Sequence, residues 1–454
     1  MSAKPKLDGL TTNQRQQLYR ESQVQKPIDE LEALNIKPWF MWVLAAMLYC
    51  YQFVLRVSPG VMVPDLMRDF SVNAESLGIL TACYYYAYAG LQLPMGVIID
   101  RYGPRRLLTG AALLCSVGTL IFASAESLVY AQIGRFMIGA GAAAVFLSTL
   151  KIISLWFSHN RFSILVSFTV MLGTLGAMCA GAPLTLLVDY LGWREALISI
   201  SSVGALLAAF IWAVVRDRQK PLDDFDDIGP QDQLLSGLKK VLTCRQTWII
   251  AFYGVCTYIV LSTFADLWNV SFLVQVYGFD QATAGLSTTI VYLGLAVGGP
   301  SFAYISERLS SRKIPMIMAS IGALCGVSLA IYIVLPPFLL FFTMFFIGFF
   351  IGGKILCFPA ACEINPPSAS GVSVGFTNMF CMLSGVIFQP VIGSLLTERS
   401  SEVIVDGVAI YSAADYRYAL TVVPICLIIS LFLSLIMRET HPAHREGLAG
   451  VGEI

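Results

Sequence analysis

Apolar runs of membrane-spanning length recur along almost the whole chain, with short polar stretches between them. A run of about 18 or more apolar residues with few charges is typical of a transmembrane helix. The pattern therefore predicts twelve membrane helices and leaves no room for a separate soluble domain. The predicted helices cover residues 39–64, 76–98, 107–125, 129–150, 163–188, 196–215, 247–272, 282–305, 314–333, 337–360, 370–396 and 418–437.

One longer polar stretch, residues 216–246, divides these helices into two groups of six. We therefore predict an all-α membrane protein built from two pseudo-symmetric halves of six helices each. The predicted divisions are a cytoplasmic N-terminal segment (1–38), an N-terminal bundle (39–215), a cytoplasmic linker (216–246), a C-terminal bundle (247–437) and a cytoplasmic tail (438–454).

The basic residues of the loops predict the orientation, because lysine and arginine concentrate on the cytoplasmic side of membrane proteins. The polar, mixed-charge N-terminus does not resemble a cleavable signal peptide. The outer loops are short. We predict an integral protein of a bacterial cytoplasmic (inner) membrane with both termini in the cytoplasm. With the N-terminus inside, the basic residues outside are Arg68, Arg194, Arg399 and Arg417, without any lysine.

Composition narrows the functional class. The chain is 57% hydrophobic and 13% charged, and its net charge of zero gives no reason to expect a nucleic-acid partner. The 11 cysteines lie almost all inside apolar runs, without disulfide or metal-site spacing. We predict a monomer in the lipid bilayer with no cofactor and no metal. Neither a Walker loop nor a cluster of nucleophiles occurs, which disfavours ATP-driven transport and a membrane enzyme.

The two halves carry related loops. Residues 96–106, after predicted helix 2, read Gly-Val-Ile-Ile-Asp-Arg-Tyr-Gly-Pro-Arg-Arg, and residues 303–313, after predicted helix 8, read Ala-Tyr-Ile-Ser-Glu-Arg-Leu-Ser-Ser-Arg-Lys. Both have an acid-arginine pair followed at the same spacing by two basic residues. A lone loop of this kind would be explained by positive-inside anchoring. Its recurrence is typical of a transporter whose site lies between two repeated halves.

The first loop resembles the signature loop of the major facilitator superfamily. Residues 135–143 of predicted helix 4, Arg-Phe-Met-Ile-Gly-Ala-Gly-Ala-Ala, resemble a second pattern of that superfamily. The resemblance covers residues 38–438 and implies alternating access. It also implies that Asp100 contacts the N-terminus of predicted helix 11, at residues 365–368, and latches the cytoplasmic side shut. The residues implied in gating are Gly96, Asp100, Arg101, Gly103, Arg105, Arg106 and Arg135, with Glu307 and Arg308 in the second copy.

Predicted helices 1 and 2 resemble a narrower branch, the anion:cation symporters and organophosphate antiporters. Arg56 precedes a proline by eight residues, and residues 88–96 follow the branch's Tyr-x-x-x-Gln-x-Pro-x-Gly pattern. Two positions depart from the branch. Leu55 stands where it often has an acid, and Ala142 stands where its symporters often have another. The resemblance therefore does not extend to proton coupling through predicted helix 4.

Ionisable residues inside membrane helices are functional candidates, because each costs roughly 2.5 to 3.5 kcal/mol to insert. Arg56 is suited to bind an anionic group of a substrate as a bidentate donor. Lys354 would add a second positive charge, and Asp266 would carry a proton or balance the field. The predicted substrate-binding set is Arg56, Gln52, Tyr49, Tyr85, Tyr88, Asp266, Asn269, Lys354 and Asn378.

A plainer interpretation of the first pair stays open at this point. A count of about 1.5 Å per residue from the cytoplasmic ends places Arg56 and Asp266 at similar depth in the outer half of the membrane. They could form an ion pair that only closes the outer side. The same count places Lys354 in the inner half, where it could instead pair with another acid.

These features together predict a secondary active transporter of a small organic anion, a carboxylate or similar metabolite, coupled to protons or another ion. An exporter of drugs or siderophores is the alternative within the same class. A non-transporting membrane sensor is less favoured, because the termini and the linker are short for a signalling domain.

Overall fold

The computed structural model describes residues 36–217, 230–399, 404–405, 408–409 and 411–443. The first half of this part consists of seven helices and one 3-10 turn. They are α1 (Ile36–Val57), α2 (Val63–Phe70), α3 (Ala74–Ala123), α4 (Leu128–Trp156), α5 (His159–Cys179), α6 (Ala182–Leu191) and α7 (Trp193–Val214), with a 3-10 turn at Ser58–Val61.

The second half repeats this plan and adds a short antiparallel hairpin. Its helices are α8 (Pro230–Thr243), α9 (Arg245–Ile259), a π-helical segment (Val260–Trp268), α10 (Asn269–Tyr277), α11 (Gln281–Arg308), α12 (Lys313–Tyr332), α13 (Pro337–Ile351), α14 (Cys357–Ile364), α15 (Ser370–Arg399), α16 (Ala413–Ala419) and α17 (Val422–Ile436). Two 3-10 turns lie at Gly352–Leu356 and Pro367–Ala369, and the hairpin pairs β1 (Ile404–Val405) with β2 (Val408–Ala409).

The twelve-helix fold predicted from the sequence is confirmed. Eleven helices of the described part are long and apolar enough to cross a membrane. The remaining crossing is the first part of α3, from Ala74 to Gly103, whose tyrosines make it more polar than the others. Since successive crossings run in opposite directions, the start of α1 and both motif loops lie at one face. We call this the basic face, after Arg101, Arg105, Arg106, Arg312 and Lys313, and the other the opposite face.

Predicted helix 1 was too long. α1 ends at Val57, and α2 covers residues that were expected to begin the outer loop. Pro59 is the local cause, because a proline has no N–H to continue the α-helical hydrogen bonds. The end of α1 therefore falls inside the membrane region, one residue after Arg56.

The predicted linker contains a helix that the hydrophobic pattern did not reveal. α8 is apolar on one side only, where Leu238 and Val241 pack with Val372 and Phe376 of α15. An amphipathic helix has no continuous apolar run, so the hydrophobic pattern did not predict α8. The acidic run at residues 223–227 lies outside the described residues.

The loop predicted between helices 2 and 3 is itself almost entirely helical. α3 runs through it and leaves helical geometry only at Gly103, with φ 76° and ψ 160°. This conformation is essentially restricted to glycine. The carboxylate of Asp217 fills the adjacent space, since a Cβ added at Gly103 would lie 2.8 Å from its Cγ. Gly103 is therefore required both by the backbone and by its neighbour.

We expect Gly103→Ala to lower the stability of the purified protein by about 1 to 3 kcal/mol, the cost of a strained backbone conformation. Thermal unfolding in detergent measures this change. Gly96→Ala in the same helix is the matched control, because a Cβ there meets nothing within 4 Å. Alanine is the better helix former, so the control should be neutral or stabilising. Equal melting temperatures for the two variants would contradict the strain argument.

An acidic side chain just past the last helix of each half caps the helix that follows the motif loop. Oδ1 of Asp217 accepts a 2.9 Å hydrogen bond from the N–H of Arg105. Oε1 of Glu439 accepts a 2.8 Å hydrogen bond from the N–H of Arg312, the equivalent motif position. Both acids lie shortly after the final helix of their half, α7 or α17. The internal repeat therefore extends from the motif to its surroundings.

The basic face of the second half is held together by further charges. The guanidinium of Arg312 lies 2.8 Å from a carboxylate oxygen of Glu363 and 2.6 Å from one of Glu307. Burial opposes ionisation of Glu439, but hydrogen bonds from Ser311 and the N–H of Arg312 outweigh it and lower the pKa of that carboxyl to about 2. A lowered pKa stabilises the fold above the pKa of a free glutamate, and the effect is lost as the pH falls toward 2. Glu439 is therefore ionised at neutral pH, and its hydrogen bonds to Ser311 and Arg312 are fully formed there.

Candidate functional site

A buried charged centre lies where the two halves meet, toward the opposite face. Nε of Arg56, at the end of α1, lies 3.2 Å from Oδ2 of Asp266 in the π-helical segment. Arg56 is 5% exposed and Asp266 is 2% exposed. The ion pair between Arg56 and Asp266, which their similar predicted depth allowed, is therefore present. A charge buried in this way is costly unless it is paired, so each residue stabilises the other.

Three tyrosines complete the hydrogen bonding of this pair. Nη1 of Arg56 donates to the hydroxyl of Tyr258 at 2.9 Å, and Nη2 donates to that of Tyr292 at 2.7 Å. Tyr85 donates to Oδ2 of Asp266 at 2.8 Å, and Tyr292 donates to Oδ1. The two Nη groups form the fork with which arginine binds carboxylates. Here the fork donates to neutral phenol oxygens, and Nε lies beside the acid.

The backbone of Arg56 is fixed by Arg135 of α4. In an α-helix the carbonyl of Leu55 would accept from residue 59, but Pro59 has no N–H. Nη1 of Arg135 donates to that carbonyl at 2.8 Å, and Nη2 lies 3.5 Å from the carbonyl of Arg56. The negative end of the helix dipole also favours a cation here. Arg135, predicted as a gating residue, thus caps the end of α1.

Asp266 lies in a π-helical stretch, a geometry frequent at functional sites. Side chains of neighbouring helices bind the backbone of this stretch. Nε2 of Gln389 donates to the carbonyl of Ser262 at 2.5 Å, and Oγ1 of Thr288 donates to that of Ala265 at 3.3 Å. The position of Asp266 is therefore set by contacts from α11 and α15 as well as by its own helix.

Two other predicted binding residues lie on α1, nearer the basic face than Arg56. The amide oxygen of Gln52 accepts a 2.8 Å hydrogen bond from the hydroxyl of Tyr84. Tyr49 is half-buried and packs edge-on against Phe53, with 5.0 Å between ring centroids. Gln52 and Tyr49 therefore form a polar and aromatic surface that runs from Arg56 toward the basic face.

The predicted residues on other helices fall into two groups. Tyr88 of α3 and Asn378 of α15 face each other across the contact between the halves, and Asn378 is half-buried. Asn269 instead donates to Ser287 at 2.6 Å and to Thr288 at 3.3 Å. Its amide nitrogen is thus engaged by α11 rather than by either member of the ion pair.

Lys354 lies in the 3-10 turn that follows α13. Its ammonium lies 3.8 Å from the ring centroid of Tyr258, the tyrosine that accepts a hydrogen bond from Arg56. The side chain is half-buried. Lys354 and Arg56 therefore contact the same tyrosine, although the backbones of the two residues lie at different depths.

The predicted gating residues of the first half lie at the basic face. Arg105 lies over the ring of Trp212, 4.1 Å from its centroid, and donates to its carbonyl at 2.8 Å. Arg101 lies 5.5 Å from the ring centroid of Tyr102. Arg106 is exposed, and the side chain of Asp100 lies outside the described residues.

The contact expected between Asp100 and the start of predicted helix 11 stays a prediction. Asn365, the first residue of that segment, donates to Thr247 at 3.0 Å and to the carbonyl of Ala361 at 2.9 Å. In the second copy of the motif, Glu307 pairs with Arg312 as described above. Arg308 donates to the hydroxyl of Tyr304 at 2.8 Å and is exposed.

Two tyrosines of the centre and three acids of the basic face were not predicted from the sequence. Tyr258 precedes Asp266 in the same membrane crossing, so polar spacing within that crossing was a usable signal. Tyr292 had no comparable signal, because α11 reaches the centre only through tertiary packing. The missed acids are Asp217, Glu363 and Glu439.

A twelve-helix fold in two repeated halves, with a buried charged centre between them, defines the class of secondary transporters. The model of the Major Facilitator Superfamily matches residues 41–390 and again residues 272–451. The chain belongs to this superfamily, as its sequence predicted.

Solved structures and curated proteins agree with this assignment. The fold is similar to that of a bacterial homolog of the human lysosomal transporter Spinster, in its inward-facing and unoccupied conformation. The TM-score is 0.72 at 15% identity, over 88% of this chain and 98% of that one. Among curated proteins, an uncharacterized transporter of Bacillus subtilis is 26% identical over 60% of this chain and 66% of its own length.

Two further relatives carry names that state a substrate. A probable sulfoacetate transporter of Cupriavidus necator is 24% identical over 63% of this chain and 68% of its own length. A probable galactarate/D-glucarate transporter of Escherichia coli is 23% identical over 76% of this chain and 85% of its own length. These relatives are transporters of organic anions by name, which fits the branch that the sequence resembles.

Proposed function

We propose that this protein is a secondary active transporter of a small organic anion, a carboxylate or sulfonate, and that it works by alternating access. The observation that carries the proposal is the fork of Arg56. Its two Nη groups donate to the neutral hydroxyls of Tyr258 and Tyr292. A substrate anion is a stronger acceptor than a phenol, because charge-assisted hydrogen bonds are roughly twice as strong as neutral ones.

In the proposed binding step the anionic group of the substrate replaces the two phenols at the fork of Arg56. Tyr258 and Tyr292 then turn their hydroxyls toward the substrate as donors. The half-buried residues nearer the basic face, Tyr49 and Asn378, would contact the remainder of the molecule. Access from the basic face is supported by these two residues, which are more exposed than the ion pair.

Asp266 is the group that we propose to couple transport to a proton. A substrate anion at Arg56 would lie beside an ionised carboxylate, and like charges at contact distance repel each other. Uptake of a proton by Asp266 removes this repulsion. Leu55 and Ala142 provide no carboxylate at the two positions where related symporters often have one. Asp266 contacts Arg56 directly and is suited to take over that role.

Alternation would open the contact between the halves at the opposite face. A Cβ added at Gly60 would lie 2.5 Å from the carbonyl of Asp266, so the two broken helices meet there at backbone distance. We propose the 39–215 and 247–437 bundles as the moving halves and the motif loops as the closing contacts on the basic face. We also propose a monomer in a bacterial inner membrane, with both termini and the basic face in the cytoplasm.

A ligand screen tests the substrate class. A ligand that binds only the folded protein raises its melting temperature, by an amount that corresponds to about 2.7 kcal/mol at a hundred times Kd. We expect sugar acids, dicarboxylates or sulfonates to stabilise the purified protein, and radiolabelled versions to accumulate in proteoliposomes. Stabilisation only by neutral or cationic drugs or by siderophores would contradict the proposal and favour an exporter of those compounds.

A further inference from the structure

Lys354 is a membrane-embedded cation whose surroundings are aromatic. Its ammonium lies 3.8 Å from the ring centroid of Tyr258 and 5.7 Å from that of Phe358, with the thiol of Cys381 close by. No carboxylate within the described part of the chain forms an ion pair with it. Cation–π contacts are worth about 0.5 to 2 kcal/mol, less than the roughly 2.5 to 3.5 kcal/mol that a lysine in a membrane helix costs. The charge of Lys354 is therefore only partly compensated.

The backbone that carries Lys354 has little freedom to move. Gly352 packs directly on the backbone of Gly298 and Gly299 in α11, so the 3-10 turn and α11 touch without intervening side chains. At Gly353 an added Cβ would lie 3.1 Å from the ring of Phe302. This close packing fixes the 3-10 turn, and with it the point from which the lysine side chain extends toward Tyr258.

Tyr258 connects the two cations of the centre. Its hydroxyl accepts the hydrogen bond from Nη1 of Arg56, and the face of its ring receives the ammonium of Lys354. The two positive groups therefore contact the same side chain, Arg56 at its hydroxyl and Lys354 over the face of its ring. A molecule that displaced the hydroxyl of Tyr258 from Arg56 would already lie alongside the ring that Lys354 covers.

The charges of the centre differ in how they are compensated. Arg56 has Asp266, and Arg135 has the carbonyl groups at the end of α1. Lys354 forms no ion pair with a carboxylate among the described residues, and its ammonium lies among aromatic rings and the thiol of Cys381. In the proposed binding step Asp266 becomes neutral, and one anionic group of the substrate balances Arg56. The charge of Lys354 then still requires a second negative group.

We propose that the substrate is a short organic dianion whose two acid groups bind Arg56 and Lys354, the two cations that contact Tyr258. This inference rests on the proposed function and specifies its substrate class. Lys354 is the residue that distinguishes a dianion from a monoanion with the same carbon chain. A dicarboxylate, or a sulfonate that also has a carboxylate, has the required charges a few bonds apart.

Pairs of compounds that differ in a single acid group test this inference. We would measure binding of D-glucarate against D-gluconate, succinate against succinamate, and sulfoacetate against isethionate, by thermal shift and by competition for uptake. For at least one pair, the wild type should bind the dianion ten times more tightly than the monoanion, or better, as expected for one charged hydrogen bond. Lys354→Gln should reduce this ratio to about 1, and Lys354→Arg should keep most of it.

Lys239→Gln is the matched control, because it removes the charge of an exposed lysine on α8, outside both the centre and the motif loops. It should leave the ratio unchanged. Equal affinity for both members of every pair, or a ratio that survives Lys354→Gln, would overturn the inference. The proposed function would then stand if Arg56→Gln still abolishes binding. A wild type that binds none of the six acids would overturn the proposed function together with the inference.

Discussion

Replacing Arg56 by glutamine is expected to weaken binding of the anionic substrate by a factor of about a hundred or more. The substitution removes both charged hydrogen bonds of the fork, each worth about 1.5 to 3 kcal/mol. Isothermal titration or a thermal-shift titration of purified protein measures the change. Arg56→Lys should restore the charge but not the fork, and should recover only part of the affinity.

A stability control separates binding from folding. Arg56→Gln alone leaves Asp266 buried without its cation, and removal of one partner of a buried pair costs about 3 to 5 kcal/mol. The double variant Arg56→Gln/Asp266→Asn removes both charges and should regain much of that stability without regaining binding. Arg68→Gln removes an exposed arginine near the opposite face and should affect neither property. Tight binding by the double variant would show that Arg56 is not the anion ligand.

Replacing Asp266 by asparagine is expected to abolish proton-driven accumulation while exchange of internal for external substrate continues. Asparagine keeps the shape of the side chain but neither gains nor loses a proton. Proteoliposomes with an imposed pH gradient measure the first activity, and preloaded vesicles without a gradient measure the second. We expect accumulation to fall at least about tenfold and substrate affinity to lose its dependence on pH.

Asp415→Asn is the control for this second result. Asp415 is also a buried aspartate, but it caps α16 through Ser412 and lies outside the charged centre. Its replacement should lower stability by about 1 kcal/mol, as for the loss of a helix cap, and leave coupling intact. If Asp266→Asn still accumulates substrate against a gradient, the coupling proton is carried elsewhere. If charge-swapped Arg56→Asp/Asp266→Arg restores full activity, the pair acts as a gate only.

The two interpretations of the Arg56–Asp266 pair are compatible in this geometry. The pair is buried at the contact between the halves and links one half to the other. The fork of Arg56 is nevertheless occupied only by phenols. A substrate bound to the fork of Arg56 and a proton bound to Asp266 would together break the ion pair between the halves. Binding and opening would then be one event rather than two.

The overall fold could be predicted from the sequence because membrane insertion acts on local composition. Each crossing must be apolar over its own length, so its existence can be recognised without knowledge of its neighbours. The repeated motif at residues 96–106 and 303–313 then showed the two halves. The errors occurred where a helix is amphipathic, as in α8, or where a proline ends one early, as Pro59 does.

The charged residues of the site were also visible in the sequence, because an arginine, a lysine or an aspartate inside an apolar run is rare. Their depth followed from counting residues along a helix. Arg56 and Asp266 could therefore be matched before the structure was known. Asn269 was also predicted to bind the substrate, and in the structure its amide donates to Ser287.

Only the tertiary structure decided how these residues are connected. Hydroxyls of Tyr258 and Tyr292 come to Arg56 from different crossings, and no spacing within one helix relates them. The π-helical geometry around Asp266 depends on hydrogen bonds from Gln389 and Thr288, which lie far away in the sequence. The sequence by itself thus determined the twelve crossings, the repeat and the identity of the charges, because these depend on local hydrophobicity. The partner of each charge depended on packing between helices, which local composition does not encode.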